Sequence, residues 1–170
     1  RAACAFPPPE ESLAANLANN CAAALLKLER PDEALKELEE AIRTSQGMRG
    51  GSTFDLSKVH YRQAQAYEML ARRLVNVEKA AAEWTKALDA ARAAVTAAKE
   101  ADARQADAGS VRTGPSGTVT HLQRELKRYK DMEREAREKV EKAKAQELRD
   151  KEAERRRAKG LQQEVVSEPE

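Results

Sequence analysis

Two stretches of the sequence repeat one ordered set of small and large residues. The first holds Ala22, Leu25, Ala34, Leu38 and Ala41; the second holds Ala64, Tyr67, Ala80, Trp84 and Ala87. The inner steps are the same in both, three residues, then four, then three. Only the step across the middle differs, nine residues against thirteen. Steps of three and four put residues on one face of a helix, and a strand would need a period of two. A repeat that returns the same face twice describes two helical hairpins packed by small side chains, the second with the longer turn.

The punctuation agrees. A helix is expected over 12–28, where Leu13, Leu17, Cys21, Ala24 and Leu28 fall on one face, the pattern of a buried stripe. Glu29-Arg30-Pro31-Asp32 is a turn, and Pro31 opens a second helix over 32–44. Gly47, Gly50 and Gly51 make 45–53 a loop, and Asp55 or Ser57 caps a third helix reaching Leu74. A fourth helix follows over 77–104. The domain reading is an irregular linker over 1–11, two hairpins over 12–106 and a loop over 107–117. A long charged helix over 118–159 and a disordered tail over 160–170 complete it. The fold class is all-α, an α-solenoid of hairpins followed by a long C-terminal helix.

Composition fits that reading. Alanine supplies 33 residues and Phe, Trp and Tyr together six, so backbones must approach closely to fill a core. Residues 1–117 carry 16 basic and 16 acidic side chains, and 118–170 carry 15 and 13. The basic excess that phosphate neutralisation needs is missing, which argues against nucleic acid as partner. No apolar run is long enough for a membrane span, and there is no signal-peptide pattern. Cys4 and Cys21 lack zinc-site spacing and do not make a disulfide scaffold, so a reducing, cytoplasmic compartment fits best. The first residue is Arg1, not Met, which reads as a fragment or processed product.

The repeat resembles the tetratricopeptide repeat, with Ala22, Ala34, Ala41, Ala64, Ala80 and Ala87 at its small positions and Leu25, Leu38, Tyr67 and Trp84 at its large ones. The resemblance narrows at Lys58-Val-His-Tyr-Arg-Gln-Ala-Gln-Ala-Tyr-Glu-Met-Leu70. This stretch is similar to the corresponding helix of immunophilin-type co-chaperones, FKBP-type prolyl isomerases of the plant kind above all. Asn20-Cys21, Leu25-Leu26-Lys27-Leu28 and Pro31 to Leu35 resemble the preceding repeat of those proteins. Tyr129-Lys130-Asp131-Met132 resembles their extra C-terminal helix, with Asp131 in place of Asn and Glu133 in place of an aromatic.

That resemblance implies a function. Such co-chaperones hold the C-terminal Glu-Glu-Val-Asp tail of heat-shock chaperones, whose last residue presents two carboxylates to fixed donors. Asn20, Lys58 and Arg62 stand at matching positions, and Asn20 and Arg62 each precede a repeat alanine by two residues. Lys58 and Arg62 are four apart on one helix face, a like-charge pair that gains from a bound anion. The clamp of that family also draws a Lys and an Asn from an earlier helix. Residues 1–11 contain neither, so the upstream repeat is expected to be missing and peptide binding weakened. The alternative is a structural scaffold with Lys58 and Arg62 as surface charges.

Nothing in the residues suggests catalysis, a cofactor or a metal. His60 and His121 lie in different helices, and no Ser-His-Asp, Cys-His or phosphate-loop pattern occurs. The resemblance implies a prolyl isomerase domain elsewhere in the intact protein. Along the last helix, Val119, Leu122, Leu126, Tyr129, Met132, Ala136, Val140 and Ala143 form an apolar seam that can cap the stack. Beyond it, charged residues dominate and ion pairs such as Glu147 with Lys151 support the helix. Tyr129 and Met132 are candidate anchors for calmodulin, to which this region of plant relatives is linked.

Overall fold

A computed structural model describes residues 9–47, 54–107 and 116–166, with side chains over 13–46, 54–107 and 116–157. Five helices account for nearly all of them: α1 Pro9–Lys27, α2 Pro31–Gly47, α3 Leu56–Arg73, α4 Val77–Asp107 and α5 Gly117–Val166. No strand occurs among the described residues. Of the linker expected over 1–11, residues 1–8 lie outside them, while 9–11 form the first turn of α1 instead of irregular chain, Pro9 being tolerated at a helix start. The glycines at 50 and 51, the middle of the second loop and the last four residues also lie outside them.

Each boundary has a local cause. α1 ends in a Schellman turn: Arg30 N–H donates to Leu25 O at 2.9 Å and Glu29 N–H to Leu26 O at 3.1 Å. Glu29 takes φ 56°, a left-handed conformation usually given to glycine. Arg73 from α3 donates to the Glu29 carbonyl at 2.7 Å, fixing the turn from outside. Pro31 then opens α2 and is fully buried. Of the two candidate caps for α3, Asp55 holds the position, its carboxylate accepting from Ser57 N–H at 3.1 Å. Asn76 accepts from Lys79 N–H at 2.9 Å and starts α4. Ser116 does the same for α5 through Val119 N–H at 3.2 Å, and Asp102 of α4 secures the Ser116 amide at 2.9 Å.

Each helix packs on the next in chain order, α3 on α4 most extensively, and α1 touches α3 more lightly. Ala15, Ala18 and Ala22 of α1, Ala34, Leu38 and Ala41 of α2, and Val59 of α3 form the first core cluster. Ala64 and Ala71, Trp84, Ala87 and Ala91, and Tyr129 and Ala136 join α3, α4 and α5 in the second. Ala94, Val95, Ala98, Val119 and Leu122 zip α4 to α5 in the third. Of the ten repeat positions, Leu25, Tyr67 and Ala80 are half-buried and the other seven are buried.

Two expectations need correction. The stripe Leu13, Leu17, Cys21, Ala24 and Leu28 faces outward: the three leucines are 69, 62 and 65% exposed. Ala15, Ala18, Asn19 and Ala22 point inward instead, because α2 and α3 admit only small side chains at that approach. At the other end, α5 runs through Gly160 to Val166, which were expected in a disordered tail. One glycine costs a helix about 1 kcal/mol against alanine and does not stop it. Leu161, Gln162, Gln163 and Glu164 are good helix formers that carry the helix past it.

Candidate functional site

α1 and α3 lie side by side and leave a groove of about 590 Å³ between them. α1 contributes Ala23, Leu26 and Lys27; α3 contributes Arg62, Gln65, Glu68, Met69 and Arg72. Three lining residues are cations and one is an anion. The floor is apolar, from Ala23, Leu26 and Met69.

Arg62 is half-buried and bridges the two helices. Its Nη1 donates to the main-chain carbonyl of Asn19 at 2.9 Å. Burial pushes its guanidinium down from the usual value, and the charge of Asp55 acts in the opposite sense. A guanidinium keeps its proton under such a pull and has five donors in a planar fork, of which this contact uses one. Asn20 sits on the exposed side of α1, next to the carbonyl that holds Arg62. The structure thus brings Arg62 beside the Asn19–Asn20 segment. Lys58 stands apart: it is exposed, pairs with Asp55 at 3.3 Å and borders a different pocket of about 360 Å³ between α3 and α5. Tyr61 and His121 line that second pocket in edge-to-face contact, ring centroids 5.7 Å apart.

Glu68, the one acid of the groove, is spent on structure. Arg128 of α5 grips it with two bonds of 2.9 and 2.8 Å, Tyr129 donates its phenol at 2.9 Å, and Arg72 adds a bond of 2.8 Å. Burial alone would raise the Glu68 carboxyl, but the Arg128 and Tyr129 bonds and the Arg128 charge outweigh it and hold it below its usual value. Burial, and then the Glu68 charge, push the Tyr129 phenol well above the ordinary tyrosine value. The Arg128 guanidinium, raised by its bonds to Glu68, also stacks 4.7 Å from the centre of the Tyr129 ring. A half-buried carboxylate satisfied by donors from Arg128, Tyr129 and Arg72 offers little repulsion to a second anion nearby.

Of the three cations that line this groove, sequence reasoning singled out Arg62 and passed over Lys27 and Arg72. Lys27 follows Asn20 by seven residues, two helical turns along the same face, and that spacing was available. It also passed over Asn19, which is buried with its Oδ1 unpartnered, while Asn20 faces solvent. His60 is half-buried and its Nδ1 lies 2.9 Å from Gln63 Oε1, a packing contact. Tyr129 is fully buried against Trp84, and Met132 is packed into the same cluster. Neither expected calmodulin anchor is exposed, and from residue 137 to 157 Leu148 is the one exposed large apolar side chain. Among the described residues no His, Cys, Asp and Glu cluster could hold a metal, and no helix is long and apolar enough to cross a membrane.

Compared with protein-family models, curated proteins and solved structures, the chain matches none.

Proposed function

We propose that the chain is a peptide-recognition module of the tetratricopeptide kind, two hairpins (α1–α2 and α3–α4) closed by α5. Its ligand is the acidic C-terminal tail of a heat-shock chaperone of the seventy- or ninety-kilodalton class. The observation that carries this reading is the α1–α3 groove, where Lys27, Arg62 and Arg72 line an apolar floor and the single carboxylate is neutralised by α5. Such a groove suits an extended acidic peptide with small apolar side chains between its charges. Arg62 and Asn20 would take the terminal carboxylates, and Lys27 an acidic side chain farther up the peptide. Lys58, which pairs with Asp55 and borders the α3–α5 pocket, takes no part in the groove. In this reading the chain performs no reaction, and the prolyl isomerase activity of immunophilin-type co-chaperones belongs to another domain.

The test is fluorescence anisotropy with a labelled Met-Glu-Glu-Val-Asp peptide, as the free acid and as the C-terminal amide. Binding of the acid alone is expected. Arg62→Ala should weaken it by ~10- to 100-fold, the worth of a charge-assisted hydrogen bond of about 1.5–3 kcal/mol. Equal binding of acid and amide, or none, would end the proposal. The reading would then pass to a helical scaffold, which the exposed, ion-paired half of α5 beyond residue 137 favours.

A further inference from the structure

One side chain belongs both to the α1–α3 groove and to the joint with α5. Glu68 follows Gln65 by three residues and precedes Arg72 by four, so it lies on the α3 face that lines the groove. α5 packs along α4 and reaches Glu68 through long side chains. The two carboxylate oxygens are served differently. Oε2 accepts from α5, from Arg128 Nη2 at 2.8 Å and from the Tyr129 phenol at 2.9 Å. Oε1 is shared: it accepts from Arg128 Nη1 at 2.9 Å and from Arg72 Nε and Nη2 at 3.1 and 2.8 Å. Arg128 also donates to Glu125 on its own helix at 3.0 Å. Glu68 and Arg72 line the groove, whereas Arg128 and Tyr129 do not.

The consequence turns on Arg72. Its side chain is 60% exposed and has room to turn, while that of Glu68 is 12% exposed, so water cannot replace donors withdrawn from it. With α5 in place, Arg128 meets the Glu68 charge, and Arg72 can turn to a ligand carboxylate without stranding Glu68. Without the α5 donors, Arg72 is the cation left to Glu68 and is held in an internal pair. Lys27 and Arg62 are then the groove cations left to a ligand, beside a less neutralised acid. We infer that α5 sets the affinity of this groove for acidic ligands: Arg128 and Tyr129, outside the groove, neutralise Glu68 and release Arg72 to the ligand. The inference rests on the peptide-recognition reading above and adds its regulation. Coupling between two events is reciprocal, so an acidic peptide that draws Arg72 away leaves Glu68 more dependent on Arg128 and tightens the hold of α5 on α3. Arg128 and Tyr129 are positioning residues, acting through Glu68 and not on the ligand.

The test is a double-mutant cycle on the full chain, read by anisotropy with the labelled Met-Glu-Glu-Val-Asp free acid. Arg128→Met removes the charge and keeps an apolar stem; it should weaken binding by about tenfold. Tyr129→Phe removes one donor and leaves the ring against Trp84, so the fold is kept; it should weaken binding by about threefold. Glu68→Gln removes the charge that needs neutralising and should bind at least as tightly as the natural chain. In the Glu68→Gln background, Arg128→Met and Tyr129→Phe should each change affinity by less than about twofold. A merely structural role for either residue would weaken binding alike in both backgrounds, and that result would overturn the inference. So would unchanged affinity in the single variants. Either outcome leaves the groove as a peptide site. Absence of binding by the natural chain overturns that reading and this inference together. Should Arg128→Met lose its helix content, Tyr129→Phe decides.

Discussion

α1 and α3 share a register, yet they meet solvent differently. α3 packs between α2 and α4 and is tied to α5 through Glu68, and its Val59, Ala64 and Ala66 are fully buried. α1 has α2 and the edge of α3, and leaves its leucines outside. Identical spacing therefore does not confer identical burial. A helix carries its apolar stripes as a property of sequence, and which stripe is buried depends on how many neighbours arrive. The same contrast runs inside α5. Its first turns bury Val119, Leu122, Tyr129 and Ala136, while residues 141–157 are exposed along their whole length.

The comparison can be broken by mutation, and the largest effect is expected where α5 meets α3 and α4. Tyr129→Ala removes a fully buried ring packed on Trp84 and should cost ~4 kcal/mol of unfolding free energy, read by urea denaturation. A cost under about 1 kcal/mol would mean that α5 does not dock there. Val59→Ala on α3 should cost about 2 kcal/mol. Leu17→Ala at the matching position of α1 should stay within ~0.5 kcal/mol. Equal costs at the two sites would erase the difference between the helices.

Acid gives a graded version of the first test. The Glu68 carboxyl is held below its ordinary value of 4.5, so the folded state binds its proton less readily than the unfolded chain. Its contribution is complete above that ordinary value and fades as pH falls through the lowered one. Glu68→Gln should flatten the acid limb of the stability profile, and an unchanged limb would mean that the Arg128 and Tyr129 bonds do not hold α5. Smaller still is Glu29→Gly, which relieves a left-handed residue and should stabilise by about 1 kcal/mol in a thermal melt. Loss of stability instead would show that the bond from Arg73 to the Glu29 side chain matters more than the backbone conformation. Smallest is Glu147→Gln on the exposed half of α5. One i,i+4 pair with Lys151 is worth a few tenths of a kcal/mol, detectable as a slight loss of helicity by circular dichroism.

Much of this was legible beforehand. The small and large repeat positions, the Pro31 and Asp55 helix starts and the division of α5 into an apolar seam and a charged half are local patterns. Local steric and capping preferences write them directly into sequence. The site was legible in part. Arg62 stood out by its place in the repeat, whereas Lys27, 35 residues earlier in the chain, joins it only because α1 and α3 run side by side. Nothing in the sequence around Glu68 marks it as the joint between α3 and α5. Its bond to Arg72 follows the i,i+4 rule, but its other partners, Arg128 and Tyr129, are 60 and 61 residues away and no spacing rule links them.

Sequence by itself determined that this chain is helical, where most helices start and stop, and which residues are small enough for close approach. Those outcomes depend on contacts within a few residues along the chain. Tertiary structure alone decided which face of α1 is buried, that Glu68 is neutralised and that a cationic groove opens beside Arg62. Burial and charge pairing depend on which helix arrives as a neighbour, and a residue's own helix does not specify that.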